Sequence, residues 1–229
     1  MGQAGCRVLA EVEAIERLAD FGLSVDLIER VVRRADADAS MCTAFDPPIM
    51  EGLTRWGRTN RYLREELVPA GWLFDNPRNL PRTIHPSGEF AIVATTGDDL
   101  TGLAEWLPAT KYSKGYATAE AVAVNGQLTL DFADADFAAD YDRIAVSASL
   151  QTWFMLFHVD DDGFRVELSL PDAIADGRIT SWAERIIVPS FPRDDDRLAD
   201  LISASGAGGS RGDAGRDAGS DVVVAVSRR

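Results

Sequence analysis

The sequence predicts an α+β protein, with N-terminal helices packed on a mostly antiparallel sheet and a disordered C-terminal tail. Three observations carry that prediction. Apolar residues recur at helical spacing through most of the first 68 positions. A long hairpin is written into Trp153–Leu170, two apolar-rich runs around an Asp-Asp-Asp-Gly turn. Residues 205–221 are rich in Gly, Ala, Ser and Asp, a composition with too little apolar surface to fold. The implied organisation is a helical hairpin over 1–42, a main α+β domain over 43–204 and a low-complexity tail over 205–229. The 229 residues allow one large domain or two small ones.

In chain order, Val8, Leu9, Val12, Ile15 and Leu18 predict a first helix over 7–20, ended by Phe21-Gly22. Ser24 is a candidate N-cap for a second helix, Val25 to about Asp36, with Leu27, Ile28, Val31 and Val32 inward. Asp46-Pro47-Pro48 closes a connector. A third helix is expected from Ile49 to Val68, its stripe of Leu53, Trp56, Leu63 and Leu67 interrupted by Asn60. Pro69-Ala70-Gly71 stops it. Asp75–Asn79 reads as a turn, and Leu80–Ile84 as a short edge strand broken by Pro81. His85-Pro86-Ser87-Gly88 turns into a buried strand, Phe90–Thr95, which leaves into the polar loop Thr96–Gly102.

Leu103–Ala109 is irregular, and Lys111–Gly115 forms a second polar loop. Thr118–Val124 reads as a strand or a short helix, the helix favoured by Ala119, Glu120, Ala121 and Ala123, with Asn125-Gly126 as a turn. Asp131–Asp142 reads as an acidic surface segment. In the hairpin, pairing Val159 with Phe164 sets Phe157 opposite Val166, Met155 opposite Leu168 and Trp153 opposite Leu170. A one-residue slip would scatter these apolar residues onto both faces, so the register is specified. Phe154, Leu156 and His158 opposite Ser169, Glu167 and Arg165 leave the second face half apolar, which calls for a cover. Pro171–Gly177 is expected as a loop or short helix, Ile179–Val188 as a strand ended by Pro189 and Pro192, and Arg193–Ser203 as a last helix. Val222–Val226 could add to a sheet edge.

The formal net charge is −14, unevenly spread. Residues 1–84 hold 11 basic and 13 acidic side chains, residues 85–204 hold 8 and 21, and residues 205–229 hold 4 and 3. An acidic second half disfavours non-specific contact with nucleic acid or an anionic membrane. No run approaches the roughly 20 apolar residues of a membrane span, and the charged N-terminus is unlike a signal peptide. The two cysteines, Cys6 and Cys42, fit no disulfide framework, and with His85 and His158 they would all have to converge to make one structural zinc site. The expectation is a reduced cytoplasmic protein with no metal and no cofactor.

Two clusters stand out. Residues 55–85 carry Arg55, Arg58, Arg61, Arg64, Arg78 and Arg82, a basic island and a candidate anion-contact surface. On a helix of about 3.6 residues per turn, four arginines at three-residue steps fan around the axis and cannot converge on one ligand. The second cluster is the pair of polar loops. Gly97, Asp98, Asp99, Thr101 and Gly102 are to face Lys111, Lys114 and Gly115, the two lysines being the only ones beside 21 arginines. Arg78, Asn79 and Arg82 join them as ligand-binding candidates. In such a site the carboxylates could hold a divalent ion and a lysine could neutralise a phosphate. The Gly97–Gly102 segment lacks the Gly-Lys-Ser/Thr end of a P-loop. Asp160-Asp161-Asp162-Gly163 lacks the ligand spacing of a calcium loop. His85 and His158 each read as structural rather than as a general base, and no Gly-x-Ser-x-Gly elbow is present.

Three strings, LREELVPAGW…DNPRNLPRTIHPSGEFAIVATTGDDLTG, KYSKGYAT…AVAVN and TWFMLFHVDDDGFRVELSLPDAIADGRITSWAERIIVP, together resemble an uncharacterised family of proteins carried on bacterial plasmids, integrative elements and prophages. The resemblance covers about residues 43–190. It implies a mobile-element setting and no particular reaction, and it singles out Asn79, Gly97, Asp98, Thr101, Gly102, Lys114 and Gly115. The function expected from all of this is a non-catalytic binding or regulatory accessory protein of a bacterial mobile element, contacting an anionic (nucleic-acid) or protein partner. The alternative is a metal-dependent enzyme acting on a phosphate-bearing substrate, a nucleotide or nucleic acid.

Overall fold

The structure is a computed structural model that describes residues 5–131 and 150–193, the backbone alone at 126–131. The described residues belong to one compact unit, residues 1–193. Most of the acidic segment 131–142, the last helix expected from 193 and the tail with Val222–Val226 lie outside the described residues.

Seven strands form one sheet in the order β1-β7-β6-β5-β4-β3-β2. They are β1 (Arg7–Leu9), β2 (Leu73–Asp75), β3 (Arg82–Ile84), β4 (Phe90–Thr96), β5 (Gln151–Asp160), β6 (Gly163–Ala175) and β7 (Arg178–Phe191). The sheet is mostly antiparallel, with two parallel pairs, β1 with β7 and β4 with β5. Among the described residues four α-helices accompany it: α1 (Glu11–Asp20), α2 (Val25–Ala39), α3 (Met50–Leu67) and α4 (Tyr116–Asp131).

The hairpin register is the one that alternation requires. Val159 opposes Phe164, Phe157 opposes Val166 and Met155 opposes Leu168. Successive strand residues point to opposite faces, and this divides the core in two. Trp153, Met155 and Phe157 join Val166, Leu168 and Leu170 beneath α1, α2 and α3, packed on Leu18, Ile28, Val31, Val32 and Leu63. Phe154 and Leu156 join Val93, Ile179 and Trp182 under Val122 of α4. The half-apolar second face is therefore covered, by α4 and by the irregular segment after β4.

Several elements differ from expectation, each for a local reason. Arg7–Leu9 is a strand rather than the start of a helix, because it pairs with Glu184–Ile186 of β7. The segment Pro171–Ala175 continues β6 through register shifts instead of looping out. β7 runs past Pro189 to Phe191, and the proline is accommodated at a shift between Phe164 and Val166, where two residues of β7 oppose one of β6. α4 runs through Asn125-Gly126, which had the marks of a turn. Asn125 is buried, and its carboxamide donates to the carbonyls of Thr152 (2.9 Å) and Pro171 (3.3 Å) while accepting from the Thr152 amide (2.8 Å). Tertiary hydrogen bonds thus override a weak local signal. Ser24 caps α2 as expected, its hydroxyl accepting from the Leu27 amide at 3.2 Å.

Candidate functional site

The site begins with a proline. Pro81 has no amide to give a ladder, and β3 starts only at Arg82. β3 consequently pairs with β4 at Ala91 and Ile92 and no further. On that side, Val93–Thr96 run without a strand partner until Gly97 bridges to Thr110. This gap beside β4, where β3 stops short inside the edge strand β2, opens a cleft of about 610 Å³.

Two of the walls are tied by hydrogen bonds to that unpaired stretch. The Ala94 carbonyl accepts from Trp56 Nε1 at 3.2 Å and from Asn60 Nδ2 at 3.1 Å, which bolts α3 along the cleft. Asn60, an interruption when read as part of an apolar stripe, is one of the bolts. Opposite, the Lys111 amide donates to the Thr96 carbonyl at 3.0 Å and the Lys114 amide to the Gly177 carbonyl at 2.6 Å. The Lys111–Gly115 loop is therefore strapped to both β4 and the β6–β7 turn. On the third side, Arg78 and Asn79 hold left-handed backbone, φ 48° and 66°, ahead of Leu80-Pro81. Such conformations cost on the order of 1 kcal/mol or more each and persist where the surroundings impose them.

The cleft lining combines Trp56, Leu53, Tyr112 and Phe154 with a polar set of unusual sign. Three cations, Arg55, Lys111 and Lys114, stand against one carboxylate, Glu51, in a chain of net charge −14. Arg55 is already neutralised, donating to Asp36 at 2.8 Å and to Glu51 at 2.6 Å. Lys111 is exposed, 5.8 Å from the Tyr112 ring centroid. Lys114 differs from both. Its ammonium is largely buried and donates to Thr95 Oγ1 at 2.6 Å, and among the described residues it has no carboxylate partner. Burial pushes its pKa down to about 8. Gly115 and Thr118 carry the lining into the first turn of α4, whose N-terminus bears partial positive charge.

The predicted site residues separate into those that reach the cleft and those that do not. Asn79, Lys111, Lys114 and Gly115 line it, and so does Arg55. The Gly97–Gly102 residues do not. Gly97 bridges to Thr110 beside the second loop, but Asp98 and Asp99 do not line the cleft with the two lysines. Asp98 turns inward and accepts from the Leu100 amide at 3.2 Å and the Ala109 amide at 2.9 Å. Asp99 is exposed, and its carbonyl accepts from Arg165 at 2.6 Å. Thr101 is fully buried. Gly102 (φ 76°) donates its amide to Glu167 at 2.9 Å, and a Cβ there would lie 3.0 Å from that of Arg165. This segment is a cover for the second face of the sheet. Glu167 and Arg185, both buried, form an ion pair beneath it. Arg185 also donates to the carbonyls of Trp106 (2.6 Å) and Leu103 (3.2 Å).

The basic island is spent on internal pairs. Arg58 meets Asp38 at 2.9 Å, Arg61 meets Glu65 at 2.7 Å and Arg78 meets Glu120 at 2.6 Å. The buried Arg82 pairs with Asp75. Arg64 donates to the Asp75 carbonyl and to Asn76, and burial lowers its pKa. His85 stacks on Phe90 at 4.5 Å and is tied to Ser87, while His158 lies 3.3 Å from Asp160. Both histidines sit in structural contacts outside the cleft.

Sequence reasoning missed Trp56, Thr95 and Phe154 as site residues. Nothing in their neighbourhoods marks them, because an apolar helix position and two strand positions become lining only where the edge partner is absent. The available signal was Pro81, whose place before a short strand foretells an incomplete edge. No protein family, curated protein or solved structure matches this chain.

Proposed function

We propose that the protein is a non-catalytic binding protein whose cleft takes a small amphipathic anion, a carboxylate or phosphate monoester with an apolar or aromatic body. The observation that carries this reading is Lys114, a largely buried ammonium paired, among the described residues, with a hydroxyl alone. A charge removed from water without a counter-ion is costly, and an incoming anion supplies the missing partner. The adjoining N-terminus of α4 adds backbone amides and a favourable dipole. Trp56, Tyr112 and Phe154 offer apolar area for the ligand body, in the usual pattern of mostly apolar walls with a few placed polar groups. The resemblance of the three sequence strings supports the wider setting, an accessory protein of a bacterial mobile element acting in the cytoplasm.

Isothermal titration with benzoate and phenyl phosphate tests the reading. Both should bind, and Lys114→Met should weaken each by about tenfold or more, the equivalent of about 1.4 kcal/mol. Equal affinity in wild type and variant, or no binding of either anion, would remove the basis of the proposal.

A further inference from the structure

Lys114 carries more than a positive charge. It is a primary amine held in place at both ends, by its amide on Gly177 and by its Nζ on the Thr95 hydroxyl. It opens onto a cleft with aromatic walls. No carboxylate among the described residues stabilises its protonated form. These are the conditions under which a lysine becomes a nucleophile.

We propose that Lys114 is a covalent attachment point for small anionic carbonyl compounds, its Nζ forming an imine with an aldehyde or ketone that carries a carboxylate or phosphate. The inference rests on the anion-binding reading of the same cleft. The neutral amine attacks the carbonyl carbon, a C–N bond forms, and the C=O π pair moves to oxygen. A proton passes from nitrogen to that oxygen and gives a carbinolamine. Loss of hydroxide with the second N–H proton, together one water, leaves C=N. The overall change is RCHO plus Lys-NH₂ to RCH=N-Lys plus H₂O, with no redox partner. Thr95 Oγ1, 2.6 Å from Nζ, is a positioning residue that can accept the proton from nitrogen and hand its own to the oxygen. The anionic group of the substrate is placed at the first turn of α4, one residue beyond Gly115. Lys111, the other lysine, is exposed and serves as an internal reference in the same molecule.

The test uses the full chain with 4-formylbenzoate or pyruvate as carbonyl probe and sodium borohydride to reduce any imine to a stable amine. Peptide mapping by mass spectrometry then locates the adduct. Lys114 should be labelled about tenfold more than Lys111. The labelling rate should rise with pH and level off above about pH 8, following the amine's deprotonation. Thr95→Val should slow labelling several-fold without abolishing it. Lys114→Arg removes the nucleophile, so it should leave that position unlabelled while Lys111 labels as in wild type. Equal labelling of Lys111 and Lys114, or no adduct from either probe while benzoate still binds, would overturn the inference and leave the anion-binding reading standing. If benzoate also fails to bind, both fall together. Labelling by 4-formylbenzoate alone would point to an aromatic aldehyde, and labelling by pyruvate alone to a keto acid.

Discussion

At the scale of single residues, Lys114 sets the electrostatics of the cleft. Its pKa lies near 8 in the folded protein against 10.5 for a free lysine, so the folded state holds its proton less tightly than the unfolded chain. A shift of that size corresponds to roughly 3 kcal/mol of lost stability while the group is charged in both states. The loss is complete below about pH 8 and is relieved as pH rises from 8 towards 10.5, since the unfolded chain there binds more protons. Lys114→Met should therefore be more stable than wild type at pH 7, recovering part of that amount, and should lose the extra rise in stability between pH 8 and 10.5. Urea denaturation at a series of pH values checks both. The sequence hinted at Lys114 only through rarity, two lysines among 23 basic residues. What makes it distinctive, burial beside a hydroxyl, depends on Thr95, which is 19 positions away and shows no pattern that would name it.

At the scale of elements, legibility followed how local the determining forces are. The β5–β6 register could be read because alternation and a tight turn fix it within about twenty residues. α4 could not, because Asn125-Gly126 has the chemistry of a turn until Thr152 and Pro171 offer hydrogen bonds to its side chain. Asn125→Leu should accordingly cost about 3 kcal/mol, since it leaves the buried Thr152 amide and two carbonyls unpaired. A midpoint in urea unchanged from wild type would contradict this role. The short β3 belongs to the same scale. Pro81 is plain in the sequence, yet its effect is felt on β4, whose uncovered Val93–Thr96 edge becomes the floor of the cleft.

At the scale of the whole molecule, the sheet is covered on both faces, but by different means. Helices α1, α2 and α3 cover one face with apolar packing. The other face needs α4 and the 97–110 segment, which is held down largely by polar groups around Glu167 and Arg185. The α+β class was legible because helical and strand periodicities are both strong. The polar anchor was not, since a Glu and an Arg 18 positions apart look like surface residues of two amphipathic strands. Glu167→Gln would leave Arg185 buried without its counter-charge, at an expected cost of about 3–5 kcal/mol. Differential scanning calorimetry should show a lowered Tm, and hydrogen exchange should rise across 97–110 before the rest of the sheet.

The pairing of β1 with β7 has a consequence for the order of events during synthesis. Val8 is made 177 residues before its partner Arg185. At roughly 5–20 residues per second, the first strand leaves the ribosome on the order of ten to thirty seconds before its partner. At the end of that interval β6, with Val166, Leu168 and Leu170 along it, also lacks the β7 neighbour that completes its ladder. Such long-range closure is slow, and it leaves unpaired strand edges exposed to other chains. The nascent protein thus passes through a vulnerable window that ends only when β7 slots between β1 and β6. A ribosome stalled between the end of β6 and the end of β7 would hold a sheet without its lock.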